Sequence, residues 1–353
     1  MRDIWQRFKS SLVRLLRREL PAGRFEAGAK FSLHGWLKTA PLVWPRREYL
    51  LYLPRGWSKR ERVPLLVLCH ACKQTPEEIA AATRMTELAD RERWLILLPR
   101  QKDSANSWRC WNWFDERTAQ GKGEAAIVSA QIAEIVDDYR IDSDRVFVAG
   151  MSAGGALAAV MGIRHPDIVH ATIVHSGLAC GAAGTAVTAL GVMKRGPDND
   201  IDKIAVDARN AAGNARRAPL LVIHGDDDAI VAPRNAIALV RQFLRFNAHP
   251  AVEALIVSEF ALPMSDAESR QSEEGRTITT RDWHVDGHLI VRLVTVSGLG
   301  HAWSGGDGKY PFNDTHPPDA TALIEAFVRD ALRQADNERG VSFRERMRWL
   351  RRR

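Results

Sequence analysis

Short apolar runs alternate with longer amphipathic stretches along this chain of 353 residues. The runs Arg47–Leu53, Pro64–Cys69, Trp94–Leu98, Arg145–Ala149, Ala171–His175, Leu220–His224 and Leu289–Val296 predict strands. Several are apolar at successive positions, as strands covered on both faces require. Apolar residues at helical spacing predict helices over Gly123–Tyr139, Ala153–Arg164, Ala232–Phe246 and Ala320–Ala335. Thr75, Pro76 and Glu78 form a capping box with proline at the first helical position, which opens a further helix running toward Arg93. This alternation predicts an α/β fold: a mostly parallel central sheet with helices on both faces. Three segments depart from it and are expected to be irregular. They are the tryptophan-rich Asp103–Gln120, the alanine- and glycine-rich Gly181–Arg216, and Glu259–Asp286, which ends in a hairpin at Asp286 and Gly287.

With 45% hydrophobic and 26% charged residues, the chain can bury one sizeable core, which excludes collagenous, disordered and disulfide-dense classes. No apolar run is long enough for a transmembrane helix. The net charge of +7 comes largely from the ends. Ile4, Phe8, Leu12, Leu15 and Leu16 recur at helical spacing among Arg7, Lys9, Arg14, Arg17 and Arg18, which predicts a basic amphipathic extension over residues 1–45. Arg346, Arg348, Arg351, Arg352 and Arg353 mirror it in a basic tail over 337–353, leaving one α/β domain over 46–336. Attachment to an anionic surface, a membrane or polymer granule, is the functional reading of these ends. A solvated helix packed on the domain is the more ordinary one. Nucleic acid is not an expected partner, because no recognition module accompanies the charge. Basic residues interrupt Ile4–Leu20, so no run of signal-peptide type is present; a cytoplasmic location is expected, with secretion as the alternative. Cys69, Cys72, Cys110 and Cys180 show no metal-ligand spacing with nearby histidines, and no metal is expected.

Gly150-Met151-Ser152-Ala153-Gly154 matches G-x-S-x-G, and Gly155 follows. The match alone carries little; its place between a predicted strand and a predicted helix makes it a nucleophile elbow. A serine hydroxyl needs a base, and the base an orienting carboxylate, and in α/β-hydrolases these follow in the order serine, acid, histidine. Gly225-Asp226-Asp227-Asp228 follows the strand Leu220–His224. Asp228 is the expected acid, with Asp226 and Asp227 binding backbone amides in the turn. Ser297-Gly298-Leu299-Gly300-His301 follows the last strand and offers His301 as base. Of the eleven histidines, His165, His170, His249 and His316 read as surface or turn residues, and His175 and His224 as hydrogen-bonded core. The oxyanion donors are expected to be the amides of Ala153 and, on the loop His70-Ala71-Cys72-Lys73-Gln74, of Cys72.

Those segments, together with Cys110-Trp111-Asn112-Trp113-Phe114 and Gly300-His301-Ala302-Trp303-Ser304-Gly305-Gly306, resemble the esterase family of poly(3-hydroxybutyrate) depolymerases over about Arg47–Ala335. That family is in turn similar to feruloyl and acetylxylan esterases. The resemblance implies carboxylic-ester hydrolysis without a cofactor, on hydroxyalkanoate esters or, alternatively, feruloyl or acetylxylan ones. It supports Ser152, Asp228 and His301 as the triad. It also implies that Cys72 and Cys110 approach closely enough for a disulfide, and that Trp108, Trp111, Trp113 and Trp303 lie near the active face, where a flat apolar surface suits an acyl chain. Trp111 and Trp113 read equally well as packed core. Ala71 stands where the family usually has glycine, and a positive φ there would strain the loop by about 1 kcal/mol. Acyl transfer and peptide hydrolysis use the same triad, and a catalytically silent protein that holds granules or a partner on this fold is the rival from another class.

Overall fold

The computed structural model describes residues 23–28, 47–213, 216–253 and 261–350. The N-terminal amphipathic helix expected around Ile4–Leu16 lies outside them, as do Arg351, Arg352 and Arg353.

The predicted strands form with small boundary shifts: β2 (Tyr49–Leu53), β3 (Leu65–Cys69), β4 (Leu95–Pro99), β5 (Val146–Met151), β6 (Ala171–His175), β7 (Leu220–Gly225) and β10 (His288–Val296). Three more join them: β1 (Arg24–Gly28), β8 (Ala267–Glu273) and β9 (Arg276–Val285). From edge to edge the sheet reads β1-β2-β4-β3-β5-β6-β7-β10-β9-β8. The six central strands from β4 to β10 are parallel. The outer pairs on each side are antiparallel.

Side-chain alternation explains the layers. Leu65, Val67 and Cys69 of β3 face one core with α4 (Gly123–Tyr139), α5 (Ala153–Arg164) and α8 (Arg234–Phe246). Leu66 and Leu68 face the other, with α1 (Pro76–Ala82), α2 (Met85–Glu92) and α10 (Ala320–Leu350). Both faces being covered, every β3 position is buried, which is why the strand reads as an unbroken apolar run.

Four expectations change. The helix expected from Thr75 toward Arg93 is two, because Arg84 takes a left-handed φ of 54° and turns the chain between α1 and α2. Gly181–Arg216 is not irregular: it contains α6 (Ala186–Arg195) and α7 (Ile201–Ala212). Thr185 and Asp200 cap them, and narrow stripes of small residues, Ala189 and Val192 or Ala205 and Ala208, face the core. Glu259–Asp286 contains β8 and β9, joined through Glu274 and Gly275, both at positive φ. β8 is exposed throughout, so no alternation marks it. The hairpin at Asp286 and Gly287 forms as expected. Finally, the helix expected to end at Ala335 continues to Leu350. The short helices α3 (Glu116–Ala119) and α9 (Pro250–Glu253), and a two-stranded ladder of β11 (Trp303–Ser304) and β12 (Asn313–Asp314), complete the described elements.

Candidate active site

The register of the parallel strands brings the chemistry-bearing loops to one edge. Cys69 pairs with Gly150, Met151 with His175, and Gly225 with Val296, so the residues that follow β3, β5, β7 and β10 leave the sheet side by side.

Ser152 lies between β5 and α5 with φ 56° and ψ −121°, a conformation that costs a non-glycine residue on the order of 1–3 kcal/mol. Surrounding backbone enforces it. The Ser152 amide donates to the His175 carbonyl at 2.9 Å, and its carbonyl accepts from Ala156 at 2.9 Å. A Cβ on Gly150 would stand 2.3 Å from the Gly154 backbone, and one on Gly154 2.2 Å from the Cys69 carbonyl oxygen. Both positions therefore require glycine. The Ser152 hydroxyl makes no capping bond to α5, and the first-turn amides that begin at Ala153 have no intrahelical acceptor.

Asp228 is buried while Asp226 and Asp227 are exposed. Its Oδ1 accepts from the amides of Ile230 at 3.0 Å and Val231 at 2.8 Å, and its Oδ2 accepts from His301 Nδ1 at 2.8 Å. Burial pushes its pKa up, but the His301 hydrogen bond and charge, the Val231 amide and His224 outweigh that, so the carboxyl sits below its ordinary value. Asp226 ties the two loops together instead, its Oδ1 accepting from the Gly298 amide at 2.7 Å. Gly225 touches the same loop: a Cβ there would lie 1.9 Å from the Leu299 carbonyl oxygen. A carboxylate only accepts, so His301 carries its proton on Nδ1 and leaves Nε2 as the basic nitrogen.

The segment after β3 is braced from several sides. Cys72 and Cys110 are joined by a disulfide with their Cα atoms 4.2 Å apart. Trp111 Nε1 donates to the His70 carbonyl at 3.1 Å, and Lys73 donates its amide to the Trp108 carbonyl at 2.7 Å. The left-handed φ falls on Lys73, at 62°, and not on Ala71, so the alanine costs no backbone strain. Glu124, at the start of α4, accepts from Gln101 Nε2 at 2.5 Å, from the Asn112 amide at 2.7 Å and from Asn112 Nδ2 at 2.9 Å. This network was not legible in the sequence, since nothing marks a glutamate that folds inward.

Trp111 and Trp113 are buried, at 1% and 4% exposure, so they brace the segment from inside and offer no face to solvent. Trp303 is likewise 1% exposed and stacks on His175, ring centroids 5.1 Å apart. Trp108 is the exposed one, with Lys73 Nζ 5.2 Å from its ring centre. His175 and His224 are buried and hydrogen-bonded, as expected. His224 Nε2 donates to the Val231 carbonyl at 2.8 Å and lies 3.6 Å from Asp228 Oδ2; burial keeps its pKa low. His165 and His249, expected at the surface or in turns, are buried at 8% and 4% exposure. Among the described residues no group of three or more His, Cys, Asp or Glu is placed to hold a metal ion.

A mostly parallel sheet whose fifth strand runs through a strained serine into a helix, with acid and histidine on later strand ends, defines an α/β-hydrolase fold. An acetyl xylan esterase from Aspergillus awamori shares it, with a TM-score of 0.62 at 17% identity over 79% of this chain and 94% of that one. The chain belongs to the esterase PHB depolymerase family, whose profile matches residues 47–255. It is 28% identical to the poly(3-hydroxyalkanoate) depolymerase C of Paucimonas lemoignei over 71% of this chain and 57% of that protein. It is 27% identical to the feruloyl esterase B of Thermothelomyces thermophilus over 51% of this chain and 64% of that protein. The chain thus matches less than two thirds of the length of either relative.

Proposed function

We propose that this protein is a serine carboxylic-ester hydrolase working through an acyl-enzyme. Ser152 attacks the ester carbonyl as its proton passes to His301 Nε2. The amides of Cys72 and Ala153 hold the oxyanion, Asp228 stabilises the imidazolium, and the proton then goes to the leaving alcohol. Water, deprotonated by the same imidazole, attacks the acyl carbon and frees the acid. The observation that carries this reading is the 2.8 Å hydrogen bond from His301 to a buried carboxylate, which fixes the tautomer a general base needs. Replacing Ser152 with alanine is expected to abolish turnover of p-nitrophenyl butyrate in a protein with an unchanged circular dichroism spectrum; turnover retained at the wild-type rate rejects the reading.

Hydroxyalkanoate esters, monomeric or polymeric, are the proposed substrates. Support comes from the depolymerase relative and from exposed apolar side chains on loops and helices that leave this edge of the sheet, Trp108, Val187, Leu190 and Ile230. Feruloyl or acetylxylan esters form the second reading, supported by the feruloyl esterase relative. Comparing kcat/KM on 3-hydroxybutyrate oligomers, feruloyl esters and acetylated xylo-oligosaccharides separates them. The Cys72–Cys110 disulfide supports residence in an oxidising compartment rather than the cytoplasm.

A further inference from the structure

We propose that His175 is a positioning residue for ester hydrolysis, one that ties the loop of the base His301 to the nucleophile elbow; this rests on reading Ser152, His301 and Asp228 as the triad. His175 ends β6 with no exposed surface. Its main chain belongs to the elbow, because its carbonyl accepts the Ser152 amide at 2.9 Å. Its ring belongs to the other loop. Nε2 accepts the Ser304 amide at 3.4 Å, and the ring plane stacks on Trp303, tilted by 22°. A peptide N–H only donates, so Nε2 is unprotonated. The ring proton therefore sits on Nδ1, which donates to Ser176 Oγ at 3.2 Å.

The two sides of His301 are held differently. Before it, Asp226 accepts the Gly298 amide at 2.7 Å and the Leu299 carbonyl accepts the Asp227 amide at 3.2 Å, so that side is tied to the loop of the acid; after it, the His175 ring is what ties Trp303 and Ser304 to the elbow. A displacement of about 1 Å in a catalytic group is enough to cost about 10²-fold in rate. Anchoring Trp303 and Ser304, just past the base, limits that displacement. Few side chains could do this while buried. The group must accept on one edge, donate on the other, stack, and stay neutral; burial, reinforced by the charges of His224 and His301, holds the His175 pKa to about 3.

The experiment compares His175→Gln, His175→Asn and His175→Phe in the full chain, by steady-state kinetics on p-nitrophenyl butyrate and by the low-field proton resonance of His301 Nδ1–H. Glutamine, whose amide oxygen reaches the Ser304 amide, is expected to keep kcat within about threefold and to retain the resonance. Asparagine is one carbon shorter; kcat is expected to fall by about tenfold at unchanged KM, with the resonance broadened. Phenylalanine keeps the stacking and loses the acceptor, so it should match asparagine, and it stands in if asparagine does not fold. A folded Asn or Phe variant with wild-type kcat and resonance overturns the proposal, as does a Gln variant impaired as much as they are. The resonance is read without turnover, and Ser152→Ala is assayed alongside. Full activity in Ser152→Ala removes the hydrolase reading, whereas an unchanged resonance in the Asn and Phe variants removes the role of His175.

Discussion

The loops carrying Ser152 and His301 and the tryptophan segment Asp103–Gln120 leave the same edge of the sheet, yet they are held in opposite ways. The first are fixed by backbone packed on backbone, at Gly150, Gly154 and Gly225, where any side chain would collide with a carbonyl. The second is fixed by side chains: the Glu124 carboxylate, the buried Trp111 and Trp113, and the disulfide to Cys72. Close backbone contact leaves glycine in the sequence as its mark. Inward-folded polar groups leave none, because a glutamate or asparagine looks the same whether it is solvated or buried.

Breaking each region should give a different kind of loss. The largest effect is expected on the chemistry: Asp228→Asn should lower kcat by about 10³–10⁴-fold with little change in KM, since an amide cannot hold the productive tautomer or stabilise an imidazolium. Stopped or steady-state assays on p-nitrophenyl butyrate measure it, and a loss below tenfold would remove Asp228 from the mechanism. Next comes the disulfide, which closes a sequence separation of 38 residues. By chain entropy its reduction, or Cys110→Ala, should cost about 3–4 kcal/mol in urea unfolding, with thiol titration confirming the bond. Trp111→Phe should cost about 1–3 kcal/mol, through a lost hydrogen bond to His70 and a smaller ring, while kcat falls less than in the Asp228 variant. If instead Trp111→Phe reduced kcat as far as Asp228→Asn with stability intact, the segment would belong to the chemistry and the contrast would fail.

The effect that is smallest near neutral pH, and grows on acidification, is shared by both regions. Burial lowers the pKa of His70, beside the tryptophan segment, from 6.5 to about 4, and that of His175, beside the elbow, from 6.5 to about 3. The folded state keeps both rings neutral at pH 5 while the unfolded chain protonates them. The unfolded state then binds more protons, so stability should fall as pH drops from about 6.5 toward 4. His70→Gln and His175→Gln should each make that slope shallower, read from urea midpoints; slopes equal to wild type would mean the rings are solvated.

What the sequence disclosed follows the same division. The buried parallel strands, the elbow, the acid after β7 and the histidine after β10 were legible because covered strands are uniformly apolar and tight loops demand glycine. β8, α6 and α7 were not. β8 is solvated on both sides, and the two helices reach the core through few residues, Ala189 and Val192 in α6 and Ile201, Ala205 and Ala208 in α7, within a stretch whose glycines and polar residues read as loop. His175 read as a core histidine, which it is; that its ring points at the loop of His301 depends on a register between β5 and β6 that no local pattern contains. Trp303 was expected in a pocket for the reason it is buried instead, its closeness to the base.

The central claim is that Ser152 is the activated nucleophile, and covalent labelling tests it most directly. Treatment with a fluorophosphonate followed by peptide mass mapping should place a single phosphonyl group on Ser152, with labelling slowed strongly in Asp228→Asn. A wild-type protein that stays unlabelled, or carries the group on another residue, would contradict it.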